Sequence, residues 1–287
     1  MWNRQNPISN IAIFFVLLVA LTTIGYWLIF RLERASPYML SAGLAAMCTC
    51  LLVGRPIASL GWRWGSWKVH WQNYLVPLLI ALSAYLIVWI AGFGGFYDRS
   101  FVEELKTDYN LDQWNNVAIF VFHFLISATF SFVVSLPSII GEEVGWRGFL
   151  VPELARLMSF TNVALISGLI WAMFHWPLMF RGIYGSSGTP LVYQIFFFSV
   201  GIVAISIVMT YFRYKTNSLW PAVVFHASYN IFFQQVFTPL TLQHENSAWY
   251  IDEFGAIPAL VSSAAALYFW RKGVNEFSTF EGFEPQH

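Results

Sequence analysis

Residues 117–147 read VAIFVFHFLISATFSFVVSLPSIIGEEVGWR, and what kind of chain this is follows from its two halves. From Val117 to Ile140 no Asp, Glu, Lys or Arg interrupts the run. A bilayer-spanning helix needs about 20 predominantly apolar residues, so this run is long enough to cross. Glu142, Glu143 and Arg147 then arrive together at its end, and Pro137 is placed to kink or end the helix just before them. Charge is rare in such a chain, so where it collects is informative.

Similar charge-free runs lie at about 11–30, 38–54, 74–92, 161–180, 191–212, 219–237 and 256–270. The whole chain of 287 residues is 57% hydrophobic, 19% aromatic and only 10% charged, where an ordinary soluble domain carries about 25% charged residues. The mean hydropathy of +0.59 agrees. These figures predict an all-α polytopic membrane protein with about eight transmembrane helices and exclude a secreted disulfide scaffold, a disordered chain and a water-soluble enzyme. The bilayer is its surrounding partner. Fifteen Lys and Arg balance fifteen Asp and Glu, so nothing draws the chain to nucleic acid. Cys48 and Cys50 lie two apart in an apolar run, point to different sides of a helix and read as small apolar filler. The first run is too long for a signal-peptide core and lacks a small-x-small cleavage site, which predicts a retained anchor. No second domain, low-complexity tract or clear repeat is visible, so residues 1–287 read as one transmembrane domain with a core at 117–237. Trp64, Trp67 and Trp71 read as an aromatic belt or a helix lying in the headgroup layer.

Eight spans leave both termini on one side. That side holds Arg4, Arg55, Arg63, Lys68, Arg147, Arg156, Arg213, Lys215, Arg271 and Lys272, ten in all, against Arg31, Arg34, Arg99, Lys106 and Arg181, five, on the other. The positive-inside rule then expects both termini in the cytoplasm, and the plasma (inner) membrane if the source is bacterial.

Ionisable residues at membrane depth usually mark function, and three clusters qualify. In the first, Glu143 and Arg147 are spaced i, i+4 and can pair on a helix. One arginine cannot neutralise two carboxylates, so Glu142 is left over, suited to act as a general base. In the second, His175 sits late in an apolar run, four residues after Trp171. In the third, His226 and Asn230 share one helical face behind Ser218, a candidate cap, and Pro221, which suits a first turn. Two donors on one face inside a membrane can hold a developing oxyanion. Alone, the first cluster also fits an interfacial helix start with solvated charges, the second a hydrogen-bonded packing histidine, and the third hydrogen bonding between helices. Together they supply a base, a polarising partner and oxyanion donors without a serine or cysteine nucleophile, which is a hydrolytic set. His123, without a motif partner, reads as a packing residue.

Glu-Glu-x-x-x-Arg (Glu142, Glu143, Arg147), aromatic-x-x-x-His (Trp171, His175) and His-x-x-x-Asn (His226, Asn230), in that order among apolar spans, resemble the motifs of the CPBP family of CAAX proteases and bacteriocin-processing enzymes, also called the Abi family. Trp-Arg-Gly-Phe-Leu after the glutamates and Leu-Trp-Pro before the third motif match as well, and the likeness covers about residues 138–235. It implies an eight-helix intramembrane endopeptidase whose site opens toward the cytoplasm and acts on a membrane-associated protein or peptide; the family divides between removal of the last three residues of prenylated CAAX proteins and peptide maturation or bacteriocin self-immunity, and the sequence does not choose between them. By position, Glu142 would activate water with His175 beside it, His226 and Asn230 would form the oxyanion hole, and Glu143 and Arg147 would hold the site together. Trp171 stands where the family pattern often has phenylalanine, and only packing is expected to differ. Metal dependence stays open: Glu142, His175 and His226 are the candidate ligands if a divalent metal such as zinc is bound, yet no His-Glu-x-x-His helix is present.

Three rivals remain. An ion- or proton-coupled transporter also buries Glu, His and Asn, but no repeat symmetry supports one. A b-type haem on His175 and His226 leaves Glu142, Glu143 and Arg147 unexplained. A non-catalytic bacteriocin-immunity protein has no use for so complete a polar set.

Overall fold

A computed structural model describes residues 6–278 and 283. It is an all-α membrane protein whose long helices run back and forth: α1 (Pro7–Leu32), α2 (Ser36–Leu52), α3 (Trp67–Ile90), α5 (Asn116–Ala155), α6 (Phe160–Phe180), α7 (Leu191–Thr216), α8 (220–240) and α9 (Ala256–Glu276), with a short α4 (Arg99–Tyr109) between the third and fourth. Five of them, α1, α3, α5, α6 and α7, are long and apolar enough to cross a membrane. Helix α2 is apolar but shorter, while α8 carries His226, Asn230, Gln234 and Gln235 and α9 ends in Arg271, Lys272 and Glu276. In both, polar residues dilute the signal that hydropathy reads.

Alternation of the helices sorts the connections onto two faces. One carries 33–35, 91–115, 181–190 and 241–255; the opposite one carries 53–66, 156–159, 217–219 and both ends of the described chain. On the first face a two-residue strand pair, β1 (Gly95–Phe96) with β2 (Thr241–Leu242), runs antiparallel, Gly95 opposite Leu242, and ties the segment after α3 to the segment after α8. Helix α4 lies on the same face. Asp98 caps it by accepting from the backbone N–H groups of Ser100 and Phe101, and the Ser100 donors hold the Asp98 carboxyl below the usual carboxylate range. Its Val102 and Leu105 pack on Ile119 and Leu240.

On the second face Glu153, at the end of α5, is almost fully buried. It accepts from Asn10 at the start of α1 (3.2 Å), from Arg55 after α2 (2.9 Å) and from Arg156 (2.8 Å). A buried carboxylate is tolerable only with such partners, and these three clamp the ends of α1, α2 and α5. The 55–73 segment contains no separate headgroup helix: a single turn covers Ile57–Leu60, and Trp67 and Trp71 lie exposed on the first turns of α3 itself.

Small residues set the spacing inside the bundle, as is usual in membranes. A Cβ built on Gly43 of α2 would stand 2.4 Å from the backbone oxygen of Gly141 on α5, and one on Gly145 would stand 2.8 Å from the Ala42 backbone. These approaches press the middle of α5 against α2 at the level of the paired glutamates.

Candidate active site

Helix α5 is not uniform. Two π turns interrupt it, at Ser127–Ser131 and at Val144–Leu150. The second begins directly after Glu143, and every residue of it is buried. π turns shift the facing of the residues that follow and are frequent at functional sites. The Ser228–Phe237 part of α8 behaves likewise, passing into a π turn at Ile231–Phe237 just after Asn230.

The three sequence clusters meet here. Arg147 Nη1 donates to Glu143 Oε1 at 3.1 Å, and both side chains are fully buried. His226 Nδ1 lies 2.9 Å from the same oxygen. The carboxylate accepts, so Nδ1 carries the hydrogen of that bond. The Arg147 guanidinium stands 4.5 Å from the centre of the Trp171 ring, a cation–π distance, and Trp171 packs against His226 with ring centres 5.0 Å apart. Glu142 is not paired with the arginine; instead Trp171 Nε1 donates to Glu142 Oε2 at 2.8 Å. The expectation that tryptophan at this position changes only packing is therefore corrected: its indole N–H is the hydrogen-bond donor to Glu142, and phenylalanine has no such group. His175 Nδ1 bonds the Trp171 carbonyl at 3.1 Å. A carbonyl only accepts, so Nδ1 bears the proton and Nε2 keeps its lone pair in the neutral ring.

Glu142, Trp171, His175, His226 and Asn230 line one cavity of about 320 Å³. Phe198, Ile202, Ile205, Tyr229 and Ile231 supply an apolar wall, and Tyr184, Gln234 and Glu253 supply a polar end. The Glu253 carboxylate accepts from the Tyr184 hydroxyl and from the Gln234 amide. Burial, with the Asp252 charge beside it, pushes the Glu253 carboxyl up to about 7. Sequence reasoning missed these three. Glu253 was visible only as one acid among several in a loop, and no local pattern brings residue 184 next to residue 253. Ser218 accepts from the Trp220 N–H at 3.2 Å, but the cap position of α8 is Leu219, which makes no side-chain cap hydrogen bond. His123 bonds the Tyr109 hydroxyl (3.0 Å) and the Gln235 carbonyl (2.8 Å), joining α4, α5 and α8 outside the cavity.

Among the described residues no three His, Cys, Asp or Glu side chains are grouped to hold an ion. His226 Nδ1 is turned to Glu143 and His175 Nδ1 to the Trp171 carbonyl, which leaves Nε2 of each ring facing the cavity side. No step below passes through a metal.

Helical architecture and a buried Glu–Glu–Arg–Trp–His–His–Asn constellation define a membrane protein with a polar site inside its helical bundle. Residues 111–232, which carry all three motifs, match the family described as type II CAAX prenyl endopeptidase Rce1-like. A CAAX prenyl protease 2 of Methanococcus maripaludis is 27% identical over 161 residues, covering 55% of this chain and 52% of the relative. The chain thus spans about half the length of the curated relative it matches.

Proposed function

We propose that the protein is an intramembrane endopeptidase that hydrolyses a peptide bond in a membrane-associated protein or peptide by glutamate-activated water, with residues 117–237 as its catalytic core. The observation that carries this reading is the division of labour between the adjacent glutamates. Glu143 is locked between Arg147 and His226. Glu142 faces the cavity with one indole donor.

Water held between Glu142 and the free Nε2 of His175 gives a proton to Glu142 as its oxygen attacks the scissile carbonyl carbon. The C=O double bond opens and the carbonyl oxygen becomes an oxyanion. Asn230 donates to it from its amide, and His226 donates from Nε2. Because Nδ1 of His226 already donates to Glu143, a second donation requires the imidazolium form. Its charge is balanced by Glu143, and the set Glu142, Glu143, Arg147 and His226 is then neutral overall. Collapse of the intermediate breaks the C–N bond while Glu142 returns its proton to the leaving nitrogen, releasing one carboxyl and one amino terminus. Oxyanion donors of this kind are each worth about 10²–10³ in turnover.

The apolar wall of the cavity suits a substrate with apolar side chains around the cleaved bond, and CAAX-like termini are within that class, as the name of the M. maripaludis relative suggests. Purified protein mixed with quenched fluorescent peptides, in detergent micelles and against Glu142→Gln, tests the reading. Turnover by the wild type alone supports it. Equal turnover by both proteins overturns it.

A further inference from the structure

The polar end of the cavity is built around one carboxylate. Glu253 is buried, and it accepts from two neutral donors, the Tyr184 hydroxyl on Oε2 and the Gln234 amide on Oε1. A buried carboxylate held by neutral donors is costly, and in a membrane protein such a residue usually marks function. The turn that carries it is held in an uncommon shape. Asp252 takes a φ of 64°, a left-handed conformation that residues other than glycine keep only where their surroundings enforce it. Its carboxylate accepts from the Glu253 N–H at 2.7 Å. On the other side of Glu253, the Phe254 ring stacks on Phe198 with centres 5.7 Å apart.

Each donor leads to a residue of the proposed machinery. Tyr184 packs its ring against His175 with centres 5.7 Å apart, and Phe198 meets both rings, at 5.5 Å from Tyr184 and 5.4 Å from His175. The His175 ring has one hydrogen bond of its own, from Nδ1 to the Trp171 carbonyl, so its tilt depends on these neighbours. Gln234 follows Asn230 by one turn, inside the π turn Ile231–Phe237, and both side chains line the cavity. The rotation of α8 at that turn sets where the Asn230 amide points, and Gln234 ties the turn to Glu253.

We infer that Glu253 is a positioning residue for two arms of the site: through Tyr184 it fixes the His175 ring beside the attacking water, and through Gln234 it fixes the turn of α8 that aims Asn230 at the oxyanion. The inference rests on the protease reading. It brings the 181–190 and 241–255 connections into the catalytic arrangement, although both lie outside the three sequence motifs. A misplacement of about 1 Å can cost about 10²-fold in rate. Interactions that matter mainly in the transition state act on kcat and leave KM in place.

Peptide turnover and Tm are measured on the same preparations of wild type, Glu253→Ala and Glu253→Gln. Alanine should lower kcat about 10–100-fold with KM within about twofold of wild type. Glutamine should return kcat to within about threefold of wild type, because its amide oxygen accepts from Tyr184 and its NH2 donates to the Gln234 amide oxygen once that amide turns over. Tyr184→Phe combined with Gln234→Leu keeps both shapes and cuts both links; it should reproduce the alanine loss, and it decides the matter should Glu253→Ala not fold. A purely structural role would lower Tm without coupling to the oxyanion donor. Under single-turnover conditions, Glu253→Ala should therefore cost at least about threefold less in an Asn230→Ala background than in wild type. An equal cost in both backgrounds, a glutamine variant as slow as the alanine variant, or alanine and double-link variants within about threefold of wild type would overturn the inference and leave the protease reading standing. No turnover by wild type would bring down the protease reading and the inference with it, so the two failures are told apart.

Discussion

Replacing Arg147 by methionine removes the guanidinium while keeping much of the side-chain length, and the structure sets what that costs. Both Arg147 and Glu143 have no solvent exposure, and Nη1 to Oε1 is 3.1 Å. Stranding one member of such a buried pair costs about 3–5 kcal/mol. Two features move the figure in opposite directions. Glu143 keeps a second partner in His226 at 2.9 Å, which softens the loss. The guanidinium also sits on the Trp171 ring at 4.5 Å, a desolvated cation–π contact worth about 2 kcal/mol. These contributions overlap and do not add, so the net expectation stays at about 3–5 kcal/mol. Set against a typical total of about 5–15 kcal/mol, the variant should show a Tm many degrees lower and should lose folded protein from detergent far faster than wild type. The sharper assay is a double-mutant cycle with Glu143→Gln. Once the carboxylate is gone, removing the arginine should cost much less, giving a coupling energy above about 1 kcal/mol. A Tm for Arg147→Met within a degree of wild type, or strictly additive single and double variants, would refute the idea that this pair holds the site.

Other consequences are as specific. Gly43→Ala places a methyl group 2.4 Å from the Gly141 oxygen, so α2 and α5 must part beside Glu142; both Tm and activity should fall, whereas Gly201→Ala on α7, whose Cβ would meet only ordinary contacts at 3.9 Å, should leave the α2–α5 contact and activity in place. Trp171→Phe keeps a ring under Arg147 and deletes the donor to Glu142; kcat should drop with KM little changed, and an unchanged kcat would deny that the indole positions the base. Glu253 has its carboxyl raised to about 7 by burial and by Asp252. The folded state therefore holds a proton that the unfolded chain releases near 4.5, and stability should decline as pH rises from about 4.5 to about 7. Glu253→Gln should flatten that decline in a Tm-versus-pH series.

The membrane class, the helical order and the three polar clusters were legible because charge at membrane depth is costly and therefore sparse. The Glu143–Arg147 pairing was legible for a simpler reason, since i, i+4 neighbours meet on any helix. What the sequence hid depends on partners far apart in the chain. Trp171 reaches Glu142 across 29 residues, and periodicity carries no sign of it. Tyr184 and Gln234 meet Glu253 only because two connections fold over one end of the cavity. The π turns at 144–150 and 231–237 have no compositional marker either, yet they set how the residues after Glu143 and after Asn230 face. Most helix positions follow the apolar runs to within a few residues, but α3 begins at Trp67, ahead of the run at 74, α9 reaches Glu276, beyond the run's end at 270, and α5 continues past Ile140 to Ala155, because the charges that end that run are buried inside the bundle and not exposed at its end.

The central claim is that Glu142, and not its neighbour, activates the water. Its most direct test compares single-turnover peptide cleavage by wild type and by Glu142→Gln, with expression and Tm measured on the same preparations. The substitution keeps the side chain's shape and still lets Trp171 donate to an amide oxygen, but it removes the group that accepts the proton. The account predicts a folded protein with Tm near wild type and cleavage reduced to background. A folded Glu142→Gln variant that cleaves at a rate near wild type would contradict it.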